Sequence, residues 1–339
     1  METRTEISSL GEFGLIKRIN KGIKTQLPDT IKGIGDDAAV IDSGEEYGLL
    51  TSDLLLEGVH FDLTFFPLKH LGYKAIAVNV SDIAAMNGIP RQVTVSLALS
   101  NRFSVEAVDE LYAGMKAACT DFNVDLVGGD TSSSRSGLLI SVSVYGKVKK
   151  DKITYRNTAK PNDLLCVTGD LGGAYLGLQL LEREKQVFLA NPEMQPELEG
   201  KDYVIQRQLR PEARMDVVYE LAEAGVLPTA MIDVSDGLAS DLLHICAQSG
   251  VGAVVFEERL PIDEQTFLAA SELNIGPVTA ALNGGEDYEL LFTVPQASYE
   301  LIRNNPKISF IGYITDKKDE VVLHTKADSR VPITAQGWN

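Results

Sequence analysis

The sequence predicts two α/β domains that divide near residue 150. Helical and strand-like hydrophobic periods mix along the whole chain. At 339 residues and 44% hydrophobic content, the chain has material for more than one small core. The stretch KVKKDKITYRNTAKPND (147–163) is polar and charged with one proline, as a linker would be. The domains expected from this are 1–148 and 149–339.

Taken in order, QVTVSLALS (92–100) is apolar and β-branched, as strands are. From Ser104 to Asp121, Val105, Val108, Leu111, Tyr112, Met115 and Cys119 recur at helical spacing, and Ser104 is suited to N-cap them. LLISVSVYGKV (138–148) reads as a second strand, and DLLCVTGDLGG (163–173) as a strand entering a glycine turn. LASDLLHICAQSG (238–250) is an amphipathic helix closed by Gly250, and the strand GAVVFEE follows it. ANPEMQPELEGKD (190–202) reads as a surface excursion.

Lys and Arg total 31 against 48 Asp and Glu, a formal charge of -17. That balance argues against nucleic acid or an anionic membrane as the main partner. Cys119, Cys166 and Cys246 lie far apart with no C-x-x-C pair, which fits reduced structural thiols. The start METRTEISSLGEFG has no apolar signal core and no later run reaches membrane-spanning length, so a cytoplasmic location is expected.

Acidic residues repeatedly sit beside Gly, Ser or Thr at the edge of an apolar element. They are Asp36 and Asp37 in GIGDDAAVI, Asp53 after Thr51 and Ser52 in LLTSDLLLEGVHF, Asp82 in AVNVSDIAAMNG, and Asp130 in DLVGGDTSSS (125–134), which reads as a glycine turn after a short strand. Asp233 and Asp236 in MIDVSDGLASD, then Glu286 and Asp287 in NGGEDYELLF, repeat the pattern in the second half. Short acidic side chains converging from several segments suit Mg²⁺ bound with phosphates, and nearby glycines let backbone amides approach phosphate oxygens. Cations so held would offset the repulsion between Asp36 and Asp37. Any one motif has a plainer reading as a turn or cap, with Ser235 or Asp236 capping the following helix. Gly172 and Gly173 in GDLGGAYLG suggest a phosphate loop but lack both the Walker ending and the Rossmann spacing. The number of such segments, rather than any one of them, favours a functional reading.

With GIGDDAAVI, TSDLLLEGVHF, YKAIAVNVSDIAAMNG, LVGGDT, DVSDGLASDL and NGGEDYELLFTV in this order, the chain resembles the thiamine-monophosphate kinases. These belong to the aminoimidazole-ribonucleotide synthetase-like ATP enzymes. The likeness runs from GEFGLIKRI (11–19) to the Gly-Trp pair at 337–338. It implies a dimerising N-terminal α/β domain and a C-terminal α/β domain closing over an ATP cleft. It implies metal ligands at Asp37, Thr51, Ser52, Asp53, Asp82, Asp130, Asp233 and Asp236, holding several Mg²⁺ ions. Nucleotide contacts would come from Tyr112, Gly129, Asp130, Arg156 and Ser235, and thiamine-phosphate contacts from His60, Glu286 and Trp338. The implied reaction takes ATP as co-substrate and converts thiamine monophosphate to thiamine diphosphate in a homodimer. The acceptor phosphate has a second pKa of about 6, so no general base or nucleophilic side chain is required. The alternatives are a sister ATP enzyme of the same superfamily and a non-catalytic nucleotide- or metal-binding regulator.

Overall fold

The computed structural model describes residues 11–335; Trp338 lies outside them. After helix α1 (Gly11–Asn20) the first half builds a six-stranded sheet. Its strands are β1 (Thr30–Lys32), β2 (Ala39–Asp42), β3 (Glu46–Leu56), β4 (Ile89–Leu99), β5 (Asp125–Ser133) and β6 (Leu139–Lys149), in the order β1-β2-β3-β6-β4-β5. All neighbours are antiparallel except β4 and β5. Two further helices belong to this half, α2 (Leu68–Ala85) and α3 (Val105–Asp121).

They touch through glycines. A Cβ on Gly72 would lie 1.9 Å from the Leu111 carbonyl oxygen, and one on Gly114 would lie 1.8 Å from that of Lys69. Only residues without side chains permit backbones this close. From Leu71 to Ala85 every residue of α2 except Asp82 is buried. A helix with apolar residues on every face belongs inside a molecule, and α2 packs on β3, β4 and β6 of its own sheet and on β8, α5 and α6 of the second half.

The second half holds β7 (Leu164–Thr168), α4 (Gly173–Ala190), α5 (Asp202–Leu209), α6 (Met215–Glu223), β8 (Ala230–Asp233), α7 (Leu238–Ser249) and β9 (Gly252–Phe256). It continues with α8 (Glu264–Leu273), α9 (Pro277–Asn283), β10 (Leu290–Val294), α10 (Tyr299–Ile302), β11 (Ile308–Thr315), β12 (Val321–His324) and β13 (Arg330–Pro332). Its seven strands run β13-β12-β9-β11-β7-β10-β8, antiparallel except for β9 with β12. One apolar cluster joins the halves, with Ile76 and Val80 of α2 in the same core as Val217, Met231 and Phe292.

Local signals carried through where they were strong. Ser104 accepts a hydrogen bond from the Ala107 amide at 3.2 Å, and Gly250 closes α7 in the left-handed region at φ 67°. All three cysteines are free thiols. Among the described residues no helix is long and apolar enough to cross a membrane. One expectation fails: DLVGGDTSSS is not a short strand followed by a turn. The strand β5 runs straight through both glycines, with a register shift against β4 between Val93 and Thr94. A Cβ on Gly129 would lie 1.7 Å from the Val95 carbonyl oxygen, so this glycine serves close approach at a bulge.

Candidate active site

The helix α2 organises the site. Asn79 accepts the Asp53 amide at 3.0 Å, tying β3 to α2. The Ser81 hydroxyl donates to Asp233 at the end of β8, at 2.6 Å. The Thr51 hydroxyl donates to Asp82. Asp37, in the turn before β2, completes the group: Asp37, Asp82 and Asp233 each offer a carboxylate oxygen within 4.8 Å of the others.

Side chains alternate along a strand, so β3 cannot present three consecutive residues on one face. Thr51 and Asp53 face α2, whereas the Ser52 hydroxyl lies on the other face, donating to the Val142 carbonyl at 3.1 Å and accepting from Ser143 at 2.9 Å. Of the two hydroxyls, Thr51 is the one at the cluster.

These carboxylates resist ionisation. Burial, then repulsion from Asp37, pushes Asp233 up to about 8. Burial followed by Glu286 and Asp37 raises Asp53 to about 6, and Asp82 is raised by burial and by Asp53, Asp233 and Asp37. The repulsion between Asp36 and Asp37 is met within the chain. Arg156 grips Asp37 with two bonds, at 2.9 and 2.5 Å, and Lys32 pairs with Asp36. Bound cations are therefore not the only balance for that pair.

A cavity of about 370 Å³ opens on the cluster, lined by Asp53, His60, Asp82, Asp233, Ser235, Asp236, Glu286 and Tyr288. An adjoining cavity of about 180 Å³ shares Val59, His60 and Glu286 with it and is walled by Phe61, Phe65 and Phe66. The Nδ1 of His60 accepts the Leu56 amide at 3.0 Å, which places the proton of a neutral ring on Nε2. Tyr112 sits half-buried on α3, and Gly129 and Asp130 sit on the exposed edge strand β5. None of these three lines either cavity.

The segment 286–289 divides its side chains between two jobs. Glu286 and Tyr288 adopt left-handed φ values of 63° and 52° and reach the cavity, where the Tyr288 hydroxyl donates to Glu286 at 3.2 Å. Asp287 instead accepts the amides of Gly172 and Ala174, at 2.8 and 3.3 Å, where α4 begins. These amides of the suspected phosphate loop are thus taken by a protein carboxylate. Glu289 is held by Arg207 and Arg214, at 2.9 and 2.6 Å.

Sequence reasoning missed Lys74 and Tyr288. Lys74 is 1% exposed and its ammonium pairs with Glu286 and donates to the Gln208 carbonyl at 3.1 Å. The only sequence signal was a lysine within the apolar stretch 71–78 of α2.

Two α/β halves around a cleft with clustered carboxylates define a protein of the synthetase-like ATP-enzyme class. Accordingly, the family model of the AIR synthase related protein N-terminal domain matches residues 35–148, and that of the C-terminal domain matches residues 160–324. Within that class the chain belongs to the thiamine-monophosphate kinase family. It is 37% identical over 321 residues to the thiamine-monophosphate kinase of Bacillus subtilis, covering 91% of this chain and 92% of that one. It is 38% identical over 291 residues to that of Aquifex aeolicus, covering 86% and 88%. The solved structure described as AaThiL complexed with AMPPCP and TMP superposes with a TM-score of 0.82 at 34% identity, covering 97% of both chains.

Proposed function

We propose that this chain transfers the γ-phosphoryl group of ATP to thiamine monophosphate, yielding thiamine diphosphate and ADP. The observation that carries the proposal is the pair of adjoining cavities, acidic at one end and aromatic at the other, with His60 and Glu286 lining both. The names of the relatives and the AMPPCP and TMP of the superposed structure support the same reading.

An all-oxygen donor set, too crowded to ionise fully by itself, fits hard divalent cations such as Mg²⁺. Asp37, Asp82 and Asp233 would hold such ions, with Asp53, Asp236 and the Thr51 hydroxyl beside them. When bound, the cations neutralise phosphate charge and polarise the transferring group. In the transfer an acceptor phosphate oxygen forms a bond to the γ-phosphorus while the bond to the β-γ bridging oxygen breaks, and ADP leaves with that electron pair. The acceptor oxygen is already ionised at neutral pH, so positioning dominates. The Nε2–H of His60 donates to the acceptor phosphate. Glu286 lines the site paired with Lys74, which offsets part of its repulsion for that phosphate.

The nucleotide would meet Arg156 and Ser235. Tyr112, Gly129 and Asp130 lie on the half of the molecule whose sheet leaves Leu50 and Leu54 exposed. That face would be covered by a second copy in a homodimer. The test is ADP release with thiamine monophosphate, ATP and Mg²⁺, with chromatography of the product. Acceptor-dependent formation of thiamine diphosphate is expected, and its absence overturns the proposal.

A further inference from the structure

Gln208, the penultimate residue of α5, is 2% exposed and lines the phenylalanine-walled cavity. Its Oε1 is buried and has no hydrogen-bond partner. The backbone around it is pinned on both sides. Lys74 holds its carbonyl, and the neighbouring Arg207 pairs with Glu289 and donates to the carbonyls of Asp170 and Asp287, at 3.0 and 3.3 Å. The charged groups nearby are already committed: Lys185 to Asp62 and Glu182, at 2.7 and 3.2 Å, and Glu286 to Lys74 and Tyr288. A buried carboxamide oxygen left without a partner is costly, because buried polar groups normally find partners.

We infer that Gln208 reads the amino-bearing edge of the acceptor's pyrimidine ring, which makes it a specificity-determining residue of the reaction proposed above, on which this inference rests. A carboxamide presents an acceptor and a donor side by side, in either order, since it can turn by 180°. Its complement is an amino group next to a ring nitrogen, the pattern by which Gln pairs with adenine. The 4-aminopyrimidine ring of thiamine carries that edge, and its flat face suits the walls formed by Phe61, Phe65 and Phe66.

The experiment compares kcat/KM for thiamine monophosphate with that for an analogue bearing hydrogen in place of the ring amino group. The comparison is made in the wild type, Gln208→Leu and Gln208→Glu. The wild type should prefer the amino substrate by roughly tenfold to a hundredfold, the worth of one such pair. In Gln208→Leu the preference should fall toward one. Gln208→Glu, which accepts from the amino group but does not donate, should keep part of it. Lack of preference in the wild type overturns the inference without any variant. So does a preference that survives in Gln208→Leu, including the case where both substrates slow equally, as a folding defect would produce. Should Gln208→Leu not fold, Gln208→Glu and the wild-type ratio still decide. Failure of the proposed function itself is separate, appearing as absent turnover of thiamine monophosphate by the wild type.

Discussion

Replacing Lys74 with methionine removes the cation that joins α2 to Glu286 while keeping most of the side chain's apolar bulk. Lys74 is 1% exposed and the Glu286 side chain 18% exposed, so the pair is largely withdrawn from water. At ~3 Å and an effective dielectric near 20, its Coulomb attraction is about 5 kcal/mol. Relief of the lysine's own desolvation offsets part of that, and breaking one side of a buried pair costs ~3–5 kcal/mol in general. With Glu286 retaining some access to water, the cost falls just below that range, about 2–3 kcal/mol. Losing the charged donor on the Gln208 carbonyl adds ~1 kcal/mol. Lys74→Met should therefore lose about 3–4 kcal/mol in equilibrium urea unfolding. The double variant Lys74→Met with Glu286→Gln should recover about 2 kcal/mol, because no uncompensated charge remains, and keep the ~1 kcal/mol carbonyl loss. A single variant within ~0.5 kcal/mol of wild type, or two substitutions that simply add, would refute the reasoning.

Asp82→Asn and Asp233→Asn should each lower turnover by about a hundredfold or more, the scale of losing one electrostatic stabiliser of the transition state. Without divalent cations both should melt at or above wild type, since each removes a carboxylate that burial and its neighbours disfavour. Melting several degrees lower in both would assign these residues to structural capping instead. Calorimetry should show Mg²⁺ tightening ATP more than tenfold (~1.4 kcal/mol) relative to chelator, and equal affinities would sink the metal-bridged site. Against the upward push of burial, bonds from Arg214 and Lys307 hold Asp216 down at about 2. A lowered folded pKa contributes stability above the unfolded value and loses it as pH falls through the folded one. The stability gap between wild type and Asp216→Asn should thus be complete above about pH 4 and shrink toward pH 2. A gap that is constant across urea midpoints in that window would count against it.

Much of the fold and some of the site could be read from short segments. The periods of α3, β6 and α7, the Ser104 cap and the Gly250 stop depend on neighbours a few residues away, and all are present. The recurrence of Asp beside small residues marked Asp37, Asp82 and Asp233, which the fold brings within 4.8 Å. Gly128 and Gly129 misled because a glycine pair reads equally as a turn or as room for a backbone. Only the pairing of β5 with β4 selects between these.

The sequence by itself determined element types, the two-part order of the chain and the residue chemistry at its acidic turns. Those follow from dihedral preference, hydrophobic period and capping, which act over a few residues. Only the tertiary structure decided that α2 is buried and that Lys74 meets Glu286, 212 positions away. It also decided that Ser52 faces away from Thr51, that Asp287 fills the glycine turn, and that the Gln208 side-chain oxygen is left without a partner. Ion pairing, desolvation and unmet hydrogen bonds act through space. Their partners exist only once distant segments have packed together.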